Sequence, residues 1–271
     1  MKNYAALFTF FLILLSATSS RADQLTLLGT ASTFAVLGAS TVTNVGPSII
    51  NGDLGLSPGT SITNFPPGIV DGLVHNSDTA AITAQADALA AYNYLANLAS
   101  ISTPHDLSGE NLGARTLGPG VYSYVGDAEL NGTLTLDFGG TNDADIVIEI
   151  AFALKTDTDS VVTVINKGTN DNVYYRVGSS ATLGLNSTFA GDILANSSIT
   201  LNTGAGSSCG SVIALNGAVT LNNSTVNNCS STGSNITAFV PVTNPVPEPS
   251  TLLLLSTGMI GAAATLRRSR L

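Results

Sequence analysis

The chain has 271 residues, a formal charge of −9 and only 10% charged residues. So acidic and charge-poor a chain is a poor partner for nucleic acid or for an anionic membrane surface, both of which ask for a basic face. Two histidines and two cysteines leave little material for catalysis or for a metal site of known spacing, while an even cysteine count suits one disulfide in an exporting compartment.

The first residues read as an address. Lys2 supplies a positive start, residues 5–15 are apolar except for Thr9, and Ser20-Arg21-Ala22 puts small residues three and one positions before a cut. This pattern predicts a secretory signal peptide over residues 1–22, leading into Sec export. Residues 23–244 then remain, enough to bury a core as one domain. They keep four basic residues (Arg115, Lys155, Lys167 and Arg176) against seventeen of the eighteen acids.

Within this region one phrase returns: a small or β-branched residue, an aliphatic residue, then threonine. It reads Thr41-Val42-Thr43, Ser61-Ile62-Thr63, Thr133-Leu134-Thr135, Val161-Val162-Thr163, Ser180-Ala181-Thr182, Ser198-Ile199-Thr200 and Ala218-Val219-Thr220. In a strand, alternate side chains point to opposite faces. The aliphatic residue therefore points inward, and stacked phrases make an outer wall of hydroxyls and methyls with almost no charge.

The spacing of the phrases predicts the architecture. Thr182-Leu183, Thr200-Leu201 and Thr220-Leu221 recur at intervals of 18 and 20, and Gly191-Asp192-Ile193-Leu194-Ala195 aligns with Gly210-Ser211-Val212-Ile213-Ala214 at 19. A period near 19 fits one coil of a small β-solenoid with three short faces. Residues one coil apart stack about 4.8 Å from each other. Cys209 and Cys229 differ by about one coil and so fall within disulfide reach; two free buried thiols are the alternative.

Residues 77–99 interrupt the coils. Alanine dominates, Pro and Gly are absent, and Asp78 stands where a cap belongs. Ile82, Ala86, Leu89 and Tyr92 recur at helical spacing as an apolar stripe. Such a helix spans about 33 Å, similar to six or seven rungs, and can lie along one solenoid face. Residues 102–120, with Pro104, Pro119 and several glycines, read as a returning loop, and coils resume at Val121. The coils thus form two blocks, and spacing leaves open whether the first caps one end or sits beside the last coil.

Residues 245–271 form a second address: Val246-Pro247-Glu248-Pro249, an apolar segment over 251–266, then Arg267, Arg268 and Arg270. The segment is short for a bilayer span, and the arginines would hold its end in the cytoplasm. The tail resembles the PEP-CTERM sorting signal of Gram-negative bacteria. That resemblance implies recognition by an exosortase, cleavage near residues 247–249, transient anchoring in the inner membrane, and delivery to the cell surface or extracellular matrix.

Longer stretches carry a resemblance of their own. These are Leu28-Gly29-Thr30-Ala31-Ser32-Thr33-Phe34-Ala35-Val36-Leu37, Leu117-Gly118-Pro119-Gly120-Val121-Tyr122, Thr188-Phe189-Ala190-Gly191-Asp192-Ile193-Leu194-Ala195 and Asn216-Gly217-Ala218-Val219-Thr220-Leu221. In this order they resemble the microbial ice-binding protein family over residues 25–228. The resemblance implies a mainly β fold: a right-handed, three-faced, discontinuous β-solenoid whose first coil packs against its last, with one long helix along it. It also implies adsorption to an ice crystal surface through a flat face, with no catalysis and no cofactor. The chain departs at Tyr174-Tyr175-Arg176, where related sequences often carry tryptophan, so Arg176 is expected to alter local packing.

The outward members of the phrase are the candidate ice-binding residues: Thr41, Thr43, Ser61, Thr63, Thr133, Thr135, Ser180, Thr182, Ser198, Thr200, Ala218 and Thr220. Threonine presents a hydroxyl and a methyl from a stiff side chain. A monomer is expected. The alternative function is a surface or matrix adhesin for extracellular polysaccharide, although sugar sites favour aromatics and this chain has no tryptophan. His75 and His105 accompany no nucleophile motif. Asp143 and Asp145, with Asp157 and Asp159, lack the spacing of a calcium loop and are expected as solvated turn residues, so no metal is expected.

Overall fold

The computed structural model describes residues 27–229. The chain divides into two units, Met1–Thr237 and Ala238–Leu271, and the described residues all belong to the first. The expected signal peptide and the expected membrane segment at 251–266 lie outside them.

Short strands of two to six residues pair side by side, always parallel, into three sheets of nine, seven and eight strands. We call these sheets A, B and C. One coil shows the rule: Asp192–Ala195 lies in A, Ile199–Leu201 in B and Gly206–Cys209 in C, and Val212–Ala214 then opens the next coil in A. Alternation drives it. Ala181, Leu183, Ile199, Leu201, Val219 and Leu221 all point inward and are buried, while the residue between each pair points out.

Corners need backbone that most side chains resist. At the corner from B to C, Asp159, Asn186 and Gly204 occupy stacked positions with φ of 56°, 54° and 74°. These residue types enter the left-handed region most easily. Asn186 Nδ2 also donates to Asp159 Oδ1 at 3.3 Å, tying one coil to the next. At Gly210, φ is 132° and a Cβ would stand 2.1 Å from the Gly191 carbonyl oxygen, so no side chain fits there.

The period near 19 holds for the later coils, as Ile193 pairs with Val212 and Tyr174 with Asp192. It fails at the other end. Val121 pairs with Val147, and Val147 with Tyr174, which makes coils of 26 and 27 residues. The excess lies in wider strands of sheet C and in two corner loops, 138–144 and 166–171. Their side chains bond across coils, as in Asn166 Nδ2 to Asp137 Oδ1 and Asn170 Nδ2 to Asp143 Oδ1, both 2.8 Å. Residues 102–120 are also more than a loop: His105–Asp106 pairs with Tyr122 and Ser123, and Arg115–Leu117 with residues 134–136. Both strands are too short to show alternation and are held by tertiary pairing.

The two blocks join at a seam. Val36 pairs with Val212, Val42 with Val219, and Ile50 with Val226, so the first coil lies on the last and the solenoid is discontinuous. Asn228 Nδ2 donates to Ser32 O at 2.8 Å. Both ends of the described chain therefore lie along the edge between sheets C and A, across the body from sheet B. Cys209 and Cys229 form a disulfide with Cα atoms 5.1 Å apart, twenty residues apart in sequence.

Helix α1 runs over Thr79–Ile101, two residues later than the sequence pattern suggested, with Asp78 accepting from Ala81 N at 3.0 Å as its cap. It lies along sheet A. Its 23 residues span about 34 Å, against about 38 Å for nine rungs. Of the expected stripe Tyr92 alone is buried: Ala86 is exposed, Ile82 and Leu89 are 54% and 48% exposed, and Ala81, Ala84, Ala88, Ala91, Tyr92, Leu95 and Leu98 face the sheet. The reason is bulk. The sheet already presents Leu37, Val147, Tyr174, Leu194 and Ile213, and close approach leaves room chiefly for alanine. Gln85 Nε2 bonds to Gly38 O and Ala214 O, straddling the seam.

Arg176 packs beneath the helix. It lies 4.2 Å from the centre of the Tyr92 ring and 3.2 Å from Glu149 Oε2. Burial pushes Glu149 up to about 7, against the opposing pull of Arg176.

Candidate functional site

Of the three faces, A is covered by α1. Sheet C presents a mixed surface in which Ile49, Ile69 and Ile165 share the strands with Asn51, Asp71 and Asp137. Sheet B is different. Thr182 pairs with Thr200, Thr200 with Thr220, Thr220 with Thr43, and Thr43 with Thr63. Five threonines from five successive strands thus form one column that crosses the seam without a break. At about 4.8 Å per rung the column runs about 19 Å.

A second column lies two residues earlier on each strand: Ser180, Ser198, Ala218, Thr41 and Ser61, with Thr41 in register with Ser61. Its hydroxyls meet the backbone, since Ser198 N donates to Ser180 Oγ at 3.4 Å and Ala218 N to Ser198 Oγ at 3.2 Å. Within the five strands neither column contains a charge or a large side chain. Thr43, Thr182, Thr200 and Thr220 are half-buried between their neighbours, and Ser61 and Thr63 are exposed on the end strand. Close neighbours and β-branching together hold each threonine in few rotamers.

Ten of the twelve candidate residues share this face, and Thr133 and Thr135 do not. They lie on sheet C, where Thr133 pairs with Val161 and Thr135 with Thr163 and Thr116. The phrase is the same, but it falls at a different point of its coil. In the long coil that begins at Val121, Ala128–Leu130 already fills the sheet B position, so Thr133 arrives one face later. The distance of each phrase from the preceding sheet A strand carried that signal. The reading also missed two residues in the threonine column, Lys155 and Glu129, because neither stands in the repeated phrase.

The other candidates are drawn into structure. His75 and His105 lie on strands at opposite ends of sheet A. His75 Nδ1 meets the capping Asp78 at 2.8 Å, and His105 lies against the Tyr122 ring. Asp145 Oδ1 accepts from Asn172 Nδ2 at 3.1 Å, and burial pushes it up to about 6. Asp192 is likewise raised to about 6 by burial while accepting from Ser211 N at 2.7 Å. Among the described residues no three His, Cys, Asp or Glu side chains are grouped to hold a metal, and no helix is long and apolar enough to cross a membrane.

Comparison with known proteins places this geometry. Residues 36–227 match the family described as ice-binding-like, and residues 245–269 match the PEP-CTERM protein-sorting motif. An ice-binding protein of Nostoc sp. (strain HG1) is 48% identical over 196 residues, covering 72% of this chain and 71% of that protein. One from Leucosporidium sp. (strain AY30) is 32% identical over 199 residues, covering 66% and 74%. Among solved structures, an ice-binding protein from the Antarctic ascomycete Antarctomyces psychrotrophicus superposes with a TM-score of 0.69 at 40% identity, covering 74% of this chain and 96% of that one. Another, from an Antarctic biological consortium, gives 0.70 at 41% identity, covering 73% and 89%.

Proposed function

The chain belongs to the ice-binding-like family, and we propose that it binds ice through the threonine face of sheet B. The contact positions are Thr41, Thr43, Ser61, Thr63, Ser180, Thr182, Ser198, Thr200, Ala218 and Thr220. The observation that carries this reading is the unbroken five-threonine column, in register across the seam. A rigid rung repeat of about 4.8 Å offers hydroxyls at regular intervals, and methyls between them shed water at little cost. Each contact is weak, but many engaged together make release slow. Ice then grows only between adsorbed molecules, its front curves, and further growth and recrystallisation are inhibited.

The relatives described above are ice-binding proteins, so the polysaccharide-adhesin alternative gains no support. We read the protein as a non-enzymatic monomer. The sorting motif implies export and association with the cell surface. In our reading an exosortase recognises Val246, Pro247, Glu248, Pro249 and the basic end, after Sec export and transient anchoring in the inner membrane. The position of Asn228 and Ser32 supports surface display, because the described chain ends on the edge away from sheet B.

The test is ice-affinity partitioning with recrystallisation inhibition, comparing the protein with a Thr200→Tyr/Thr220→Tyr variant. The parent is expected to enter ice and the variant to stay in the liquid while unfolding at a similar temperature. A folded variant with full activity would move the site to another face. An inactive folded parent would overturn the ice reading.

A further inference from the structure

The backbone platform of sheet B extends beyond its threonines. Ala181 pairs with Leu154, and Leu154 with Ala128. All three are buried, so the inward column continues without a fault to the last of the seven strands. The outward chemistry does not continue. The rung after Thr182 presents Lys155, in register with it, and the rung after that presents Glu129. In the neighbouring column the last strand is preceded by Asp127, whose Oδ2 lies 3.3 Å from Lys155 Nζ and whose Oδ1 accepts from Ala153 N at 2.9 Å. Lys155 and Asp127 are 54% and 45% exposed in their side chains, so the pair stands in water.

Two physical consequences follow for a flat solid resting on the threonines. A charged group keeps its water far more tightly than a methyl or a hydroxyl, and stripping that water is costly. A lysine stem is also several bonds longer than threonine, so its ammonium stands above the plane on which Thr182 and Thr200 rest. We propose that Lys155 and Glu129 end the threonine-column contact at five rungs and so determine how much of sheet B works. The inference rests on the threonine face being the site.

The experiment converts the border into face. Glu129→Thr/Lys155→Thr in the full chain extends the column from five rungs to the seven of the sheet. Thermal hysteresis at equal protein concentration is expected to rise by about 1.4-fold or more, following the number of contacts engaged together. Thr182→Lys is measured beside it and is expected to lower activity by moving the border one rung inward. Thr200→Tyr serves as the control for the face. Unchanged or reduced hysteresis in a folded double variant, with Thr200→Tyr inactive, would overturn the border role and leave the face intact. Full activity in Thr200→Tyr would overturn the face and this inference with it. If the double variant does not fold, Thr182→Lys decides: activity equal to the parent's would refute the border.

Discussion

Removing the disulfide perturbs one coil whose importance exceeds its size. The loop from Cys209 to Cys229 encloses Val212–Ala214, Val219–Asn222 and Thr225–Asn227. These three strands are the seat for the first block, through the pairs Val36–Val212, Val42–Val219 and Ile49–Thr225. Closing a loop of twenty residues restricts the unfolded chain by an amount worth about 3 kcal/mol. For a body of about 200 residues each kcal/mol moves the unfolding midpoint by about 2–4 °C, so Cys209→Ser/Cys229→Ser is expected to unfold about 6–12 °C lower. Circular dichroism melting of both proteins, with the parent also measured after complete reduction, gives the value. Near 0 °C the seam remains paired by its backbone, so ice partitioning should survive the loss. A midpoint unchanged within about 2 °C, with both thiols of the reduced parent proved free, would refute the entropic argument. Loss of ice partitioning in a folded variant would refute the claim that the seam holds by pairing alone.

Stability should also depend on pH in an unusual direction. Burial raises Glu149 to about 7, and Asp145 and Asp192 to about 6, all above their unfolded values near 4. Their contribution is fully present below those unfolded values and is lost as pH rises through the folded ones. The melting temperature is therefore expected to fall between pH 5 and pH 8, and Glu149→Gln to flatten the upper part of that fall; a melting temperature that rises over this range would refute the assignment. Ala88→Leu, which pushes a large side chain between α1 and sheet A, should cost about 1–3 kcal/mol in chemical denaturation. Ile82→Gln, on the exposed side of the same helix, should change stability by no more than about 0.5 kcal/mol, and a larger loss would restore Ile82 to the interface.

Much of this fold was legible because its signals are local. Alternation in Ser198-Ile199-Thr200 and its kin reports which residue faces inward, and the spacing of Cys209 and Cys229 reports one coil. The Asp78 cap and the alanine run report a helix. What stayed hidden depends on partners distant in sequence. Which helix side is buried depends on the bulk that Tyr174 and Leu194 bring from the sheet, so Ile82 and Leu89 pointed to the wrong side while Tyr92 in the same stripe did not. Which sheet a threonine phrase joins depends on counting strands within its coil. Ala128–Leu130 already takes the sheet B place in its coil without carrying the phrase, and Thr133 and Thr135 were therefore placed with residues they do not meet. The seam itself was suggested only by family resemblance, since no local pattern joins Val36 to Val212.

That seam has a consequence for how the protein comes into being. Thr43 and Thr220 are neighbours in the column, yet most of the chain lies between them. Contacts this distant form late and slowly, because the entropy of closing the intervening chain must be met first. A chain emerging from an export channel presents its first block before the coil that will receive it exists. Until Val219–Asn222 has folded, the strands of Thr43 and Thr63 have no neighbour on that side, and the threonine column has at most two rungs in a row. The complete face is thus a property of the finished molecule alone, and recovery of ice activity during refolding would time the closing of the seam rather than the formation of secondary structure.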